Sequence, residues 1–207
     1  MRNGKTDLER RRKRRRRRTQ AIIIYTAIAV GLAWFFESQS TTTMIFVRHA
    51  EKALIPVDDP ALSPEGQLRA AELARQMVDA DVVAGIDAIY STPFRRTMET
   101  VQPVADALEL EINHYDPDNE ETELDRMLRA HKGQVILIVG HSNTVPSLIA
   151  ELGASKLVPP IAEFEYDNLY LVSIPWFGKT KTIRLRYGTP YTGEPADDAY
   201  EGVKMTQ

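Results

Sequence analysis

Two short apolar runs in this chain each end in a histidine, and the first of these histidines follows an arginine. Met44-Ile45-Phe46-Val47 runs into Arg48-His49, and Val135-Ile136-Leu137-Ile138-Val139 runs into Gly140-His141. A continuous apolar run of this length, bounded by polar residues, reads as a buried strand. In an open parallel sheet, ligands sit just beyond the carboxyl ends of the strands. The expected fold therefore brings two imidazoles and a guanidinium to one crevice, a set suited to an anion and above all to a phosphoryl group.

The formal net charge of −3 over 207 residues conceals a strong asymmetry. Residues 1–18 carry eleven Lys or Arg against Asp7 and Glu9, a local charge of +9, which leaves −12 for the rest of the chain. An acidic globular part argues against a nucleic-acid-binding face, so no nucleic-acid partner is expected. The chain has no cysteine, which excludes a disulfide framework and a thiolate metal site.

Residues 19–36 contain no charge, and this eighteen-residue stretch lies at the short end of the roughly 17–25 a spanning helix needs. Trp34-Phe35-Phe36 at its end suits the aromatic belt of a membrane interface, and the arginines before it should stay cytoplasmic. The expectation is a basic cytoplasmic tail over 1–18, a transmembrane anchor over 19–36 and a polar linker over 37–43. The chain would then cross the inner (cytoplasmic) membrane once, with its acidic domain on the extracytoplasmic side. A cleaved signal peptide would have only Ser38-Gln39-Ser40 as a small-x-small site. A twin-arginine export signal would lack its usual residues after the pair. A nucleic-acid-binding basic arm would leave the apolar segment unexplained.

The globular domain is expected over 44–190, followed by a polar tail over 191–207. Residues 54–61, with Pro56, Asp58, Asp59 and Pro60, read as a loop. Ser63-Pro64-Glu65 then opens a helix: the serine is a natural N-cap, proline suits the first helical position, and the glutamate faces the positive end of the dipole. Strands are expected over 86–90, 111–115 and 135–139. Helices are expected over 95–108, with a kink or imperfect turn at Pro103, over 120–131 and over 144–152. Residues 168–174 and 182–187 alternate like a closing strand pair. Alternating strands and helices indicate an α/β fold: a three-layer, doubly wound, mostly parallel sheet with an antiparallel edge, preceded by one transmembrane helix.

Four motifs in order give this domain a resemblance. Arg48-His49-Ala50-Glu51-Lys52 resembles the Arg-His-Gly or Arg-His-Ala signature of the histidine phosphatase (phosphoglycerate mutase-like) superfamily. Leu62-Ser63-Pro64-Glu65-Gly66-Gln67 resembles its Leu-Thr-x-x-Gly-x-x-Gln/Ala helix start. Ser91-Thr92-Pro93-Phe94-Arg95-Arg96-Thr97-Met98-Glu99-Thr100 resembles its Ser-x-Pro-Leu-x-Arg-Ala-x-x-Thr segment, and Val139-Gly140-His141-Ser142-Asn143 its second-histidine motif.

The resemblance implies a phosphatase in which His49 attacks phosphorus and forms a phosphohistidine. Arg48 and Arg96 would clamp the phosphoryl oxygens, with Arg95 the competitor for the second role. His141 would bind equatorial oxygens and spread the developing charge. Asn143 is a further phosphate contact or a helix N-cap. The general acid would be Asp116, with Glu51 as runner-up. No metal and no cofactor is implied, and the partners are a small phosphorylated substrate and the membrane. Lys52 either raises the pocket potential or is simply solvated, and His114 and His131 read as bystanders. Ala50 in place of the commoner glycine mainly removes backbone latitude, whereas Ala53-Leu54-Ile55 where the mutase branch usually has an asparagine, and the lack of long insertions, favour a phosphatase over a mutase. Two alternatives are a compact cytoplasmic-type phosphohistidine (phosphoprotein) phosphatase and a catalytically silent phosphoryl-binding module. Substrate choice would lie in loops 53–61, 116–122 and 153–167.

Overall fold

The computed structural model describes residues 3–37, 41–79, 85–154 and 158–193, and the chain divides into two compact units, Met1–Ser40 and Thr41–Gln207. The middle of the expected linker and residues 194–207 of the expected tail lie outside the described residues.

The first unit is one 35-residue helix, α1 (Asn3–Glu37). The basic tail, expected as a segment of its own, continues the apolar segment as helix without a break. Arginine and lysine are good helix formers, and on an exposed helix their side chains fan out around the axis and relieve their mutual repulsion. Within α1, Glu9–Phe35 is long and apolar enough to cross a membrane by length and composition, with a mean hydropathy of 1.3 in its apolar window.

The second unit is built on β1 (Thr42–Arg48), α2 (Pro64–Asp79), β2 (Ala88–Ser91), α3 (Arg95–Leu108), β3 (Ile112–His114), α4 (Glu120–Ala130), β4 (Val135–Gly140), α5 (Thr144–Glu151), β5 (Asn168–Ile174) and β6 (Lys181–Arg186). The six strands form one sheet in the order β3-β2-β4-β1-β5-β6. The first four are parallel, whereas β5 runs antiparallel to β1 and β6 antiparallel to β5. This is the expected mixed α/β sheet, with one refinement. β5 lies directly against the interior strand β1, so β1 has a parallel neighbour on one side and an antiparallel one on the other.

Alternation along β1 divides the core. Met44 and Phe46 pack with Leu124, Met127, Val145 and Leu148, from α4 and α5. Ile45 and Val47 pack with Leu73, Val101 and Val104, from α2 and α3. A sheet with apolar side chains on both faces needs a helical layer on each, and this partition supplies the three layers. β1 starts two residues before its apolar run because Thr42 is tied at its side chain: the Gly133 amide donates to its hydroxyl at 2.8 Å. α3 continues through Pro103.

The start of α2 is pressed onto the segment that follows β1. The Ser63 amide donates to the Glu51 carbonyl at 2.9 Å, and the Ser63 hydroxyl accepts from the Gly66 amide at 3.1 Å as an N-cap should. A Cβ on Gly66 would lie 2.1 Å from the Glu51 carbonyl oxygen, so only glycine permits this approach. One turn later, Arg69 makes a bidentate pair with Glu51 and donates to the carbonyls of Tyr187 and Thr189. The helix start thereby fixes the backbone just after His49.

Candidate active site

Parallel pairing of β1 with β4 is in register at Arg48 opposite Gly140, and the His49 amide donates to the Gly140 carbonyl at 2.9 Å. The two histidines leave adjacent strand ends together, with ring centroids 5.4 Å apart. They line a crevice of about 620 Å³ that also receives Arg48, Lys52, Phe94, Arg96, Asp118, Asn143 and Glu163.

His49 is buried, and its Nδ1 lies 2.7 Å from the carbonyl oxygen of Ala50. A carbonyl can only accept, so Nδ1 carries the proton and Nε2 keeps its lone pair. Burial, assisted by the charge of Arg48 and the neighbouring His141, lowers the His49 pKa to about 3. The ring is therefore neutral at any physiological pH. The Ala50 amide donates to the Thr100 hydroxyl at 2.9 Å, and that hydroxyl donates to the Arg96 carbonyl. The threonine that closes the third motif thus ties the segment after His49 to α3.

His141 is oriented from behind by Thr92, a residue of the third motif to which the sequence alone assigns no role. Its Nε2 lies 3.0 Å from the hydroxyl of Thr92, which lies 2.8 Å from that of Thr97. The Thr97 hydroxyl donates to backbone carbonyls, so it accepts from Thr92, and Thr92 accepts from His141 Nε2–H. Nδ1 of His141 is then an acceptor facing Arg96, at a long 3.5 Å. Burial and, next, the charge of Arg96 lower the His141 pKa to about 4. Gly140 is required here: a Cβ would come within 2.7 Å of the hydroxyls of both Thr144 and Tyr115.

The guanidinium groups are held differently. Arg48 Nη1 donates to the carbonyls of Ala162 and Glu165, and its plane lies over the Tyr166 ring at 4.2 Å. Its Nε is buried with no hydrogen-bond partner in the protein, a donor that a bound oxyanion would satisfy. Arg96 lies over Phe94 at 4.6 Å and lines the crevice, whereas Arg95 points out and pairs with Glu99. That separates the two arginines the sequence could not tell apart. Asn143 lines the crevice and stands at the N-cap of α5, where its side chain makes no capping hydrogen bond.

Asp116 is not brought into the crevice. Its carboxylate accepts from the Asp118 amide at 3.0 Å and from the Asn119 side chain, and these bonds lower its pKa. A carboxyl held as its anion in a turn makes a poor proton donor. Glu51, the runner-up, is engaged by Arg69. The carboxylates that do line the crevice are Asp118 and Glu163, from two of the loops expected to set substrate choice. The third loop reaches the site through Asp59, which accepts from the Arg95 amide at 2.9 Å and lies 4.0 Å from Arg96. Tyr166 and Glu163 sit in the loop between α5 and β5, where no sequence pattern marks them. His131 is structural, bonded to Tyr90 and Gln134.

A model of the histidine phosphatase superfamily (branch 1) matches residues 44–121, from β1 into α4. No curated protein matches the sequence. Among solved structures, the protein histidine phosphatase SixA complexed with tungstate is 20% identical, with a TM-score of 0.57, over 70% of this chain and 96% of that one. A putative phosphohistidine phosphatase SixA from Nakamurella multipartitia is 18% identical, with a TM-score of 0.55, over 73% and 97%. A phosphoserine phosphatase mutant from Entamoeba histolytica in complex with phosphoserine is 15% identical, with a TM-score of 0.52, over 70% and 96%. At these identities the likeness speaks for the fold, and the family model adds the sequence of its first half. The chain is thus similar to the histidine phosphatase superfamily over residues 44–121, and its globular unit shares the fold of these phosphatase structures.

Proposed function

We propose that the protein is a membrane-anchored, metal-independent phosphomonoester hydrolase that works through a phosphohistidine on His49. The observation that carries this reading is the hydrogen bond from His49 Nδ1 to the Ala50 carbonyl, which leaves Nε2 bare at the mouth of a cationic crevice.

A phosphomonoester near neutral pH carries close to two negative charges. Arg48 and Arg96 bind its oxygens, the unpartnered Nε of Arg48 gaining an acceptor. The bound dianion opposes the arginine charge that, after burial, keeps His141 neutral. Nδ1 of His141 can then hold a proton and donate to an equatorial oxygen. His49 Nε2 attacks phosphorus, the bond to the leaving oxygen breaks, and that oxygen takes a proton from Asp118 or Glu163. Water next attacks the phosphohistidine and gives a proton to the same carboxylate. The P–N bond breaks, inorganic phosphate leaves, and Nε2 regains its lone pair. The charge of two arginines and a protonated histidine does what a metal ion would do in a metallophosphatase.

α1 would anchor the enzyme in the cytoplasmic membrane, amino terminus inside and catalytic unit on the extracytoplasmic side; the arginine run next to an apolar helix supports this orientation. A second reading is hydrolysis of phosphohistidine in a protein. It makes less demand on a general acid, because a protonated imidazole leaves phosphorus more easily than an alkoxide does. The compact SixA structures, almost wholly spanned by this chain, support it too.

The test is phosphate release by the full chain in detergent, with a chelator present, from phosphomonoesters and from a phosphohistidine peptide. Turnover that survives the chelator and is lost in His49→Ala supports the proposal. Turnover that needs an added divalent ion contradicts it, and hydrolysis of the peptide alone selects the second reading. A reporter fused to the carboxyl end checks the orientation.

A further inference from the structure

The end of the sheet opposite the crevice carries a surface that the phosphatase chemistry does not use. Because β5 runs antiparallel to β1, its last residue Ile174 pairs with Thr42, the first residue of β1. The hairpin joining β5 to β6 therefore turns beside the point where the chain enters the sheet. Its tip is Pro175-Trp176-Phe177-Gly178, with Trp176 53% and Phe177 87% exposed. Lys179 and Lys181 follow on the same hairpin, both exposed. On the other side of Thr42, the turn between α4 and β4 adds exposed Lys132, next to the Gly133 amide that bonds the Thr42 hydroxyl. Three exposed lysines thus lie at the same end of the sheet as two exposed aromatic side chains, in a part of the chain whose net charge is strongly negative.

This composition has a chemical match. Tryptophan and phenylalanine at an exposed tip favour the headgroup boundary of a bilayer, where one side of the ring is apolar and the other wet. Lysines beside them are drawn to anionic headgroups. The position fits as well. Glu37, the last residue of α1, precedes Thr42 by five residues, which span at most about 18 Å when extended. If α1 crosses a membrane, a tether of this length lets the hairpin tip reach its surface.

We propose that the Trp176–Phe177 hairpin tip, with Lys132, Lys179 and Lys181, docks onto an anionic bilayer surface. The argument from reach rests on the anchored reading of α1, whereas the composition of the tip stands without it. Docking at this end of β1 turns the crevice, at its other end, toward the aqueous side, and favours soluble phosphorylated substrates over short lipid headgroups. The rival occupant is a second copy of the chain, paired along the open edge of β6 through Ile183 and Leu185. Lys181 and Arg184 on that strand oppose such pairing by like charge.

The chain's two tryptophans make the test direct: Trp34 lies in α1 and Trp176 in the tip. The full-length protein is reconstituted in vesicles of phosphatidylglycerol and phosphatidylcholine whose acyl chains carry bromine near the headgroup or near the methyl end. Trp34→Phe leaves Trp176 to report on the tip, and Trp176→Phe leaves Trp34 to report on α1. The expected result is Trp176 emission quenched several-fold more by shallow than by deep bromine. That quenching should fall in Lys179→Glu/Lys181→Glu and in vesicles without phosphatidylglycerol. Trp176 unquenched beside a quenched Trp34 overturns the docking and leaves the anchor standing. Trp34 unquenched overturns the anchor, and Trp176 then decides the tip alone. Emission of Trp176 that shifts to the blue with protein concentration, without bromine quenching, shows a second copy at this surface and overturns the proposal.

Discussion

Lowering the pH from 7 to 5 should cost the globular unit a large part of its stability, because two histidines are buried in neutral form at the crevice. Their pKa values, lowered from 6.5 to about 3 for His49 and about 4 for His141, come first from burial and then from nearby positive charge. In the unfolded chain both rings take up a proton below pH 6.5, while in the folded protein they do not until pH 4 or lower. Across that window the unfolded state binds more protons, so stability is fully present above the unfolded pKa and falls as the pH drops. At pH 5 each histidine contributes a loss of about 2 kcal/mol, about 4 kcal/mol for the pair, against a total of roughly 5–15 for a domain. The lower limit of pH 5 keeps carboxylates such as Asp116 and Glu165, whose pKa values are lowered, outside the titration. The assay is urea unfolding of residues 41–207, which contain the whole sheet and its cores, at both pH values. It is repeated with His49→Asn and with His141→Asn, and only the difference between the two pH values is read. Each variant should lose about half of that difference, which removes any contribution of His114 or His131. A wild-type stability that stays flat between pH 7 and 5, or a difference unchanged in both variants, would refute the claim that these rings are held neutral.

Three further outcomes follow from particular contacts. Asp116→Asn should reduce turnover less than tenfold, whereas loss of a true general acid costs about 10²–10⁴; Asp118→Asn and Glu163→Gln, assayed beside it on one phosphomonoester, should reveal the larger loss in one of the two. Gly66→Ala should destabilise the unit by about 1–3 kcal/mol in urea unfolding, since its Cβ meets backbone at 2.1 Å and α2 must move off Glu51. Arg96→Ala should lower kcat/KM by about 10²–10³, and Lys at the same position should restore little of it, because a point charge does not reproduce a two-pronged donor.

The sequence made the site's foundation legible where chemistry and periodicity coincide. Val135 to Val139 reads as a buried strand from its apolar run, as Met44 to Val47 does, and the structure pairs the two in the register that brings His141 to His49. Ser63 and Pro64 announced the start of α2 because capping is local chemistry, and α3 began at Arg95 as expected. What depends on distant pairing was not legible. Nothing local in residues 168–174 tells that β5 lies against β1, because an alternating strand pairs equally well with several neighbours. The arginine run reads as a separate tail from its charge, yet its helix propensity carries α1 through it. Asp116 follows β3 by two residues, and the turn it closes with Asp118 and Asn119 occupies its carboxylate. Tyr166 and Glu163 reach Arg48 and the crevice from a loop whose course no pattern dictates.

The central claim is that phosphoryl transfer passes through Nε2 of His49. The most direct measurement is to mix the enzyme with a phosphomonoester, quench into alkali within a fraction of a turnover, and assign the phosphorylated nitrogen by 31P NMR and peptide mass spectrometry. The account predicts a phosphoryl group on Nε2 of His49, because Nδ1 is committed to the Ala50 carbonyl. Phosphate on Nδ1, on His141 or on no histidine at all, in an enzyme that turns over, would contradict it.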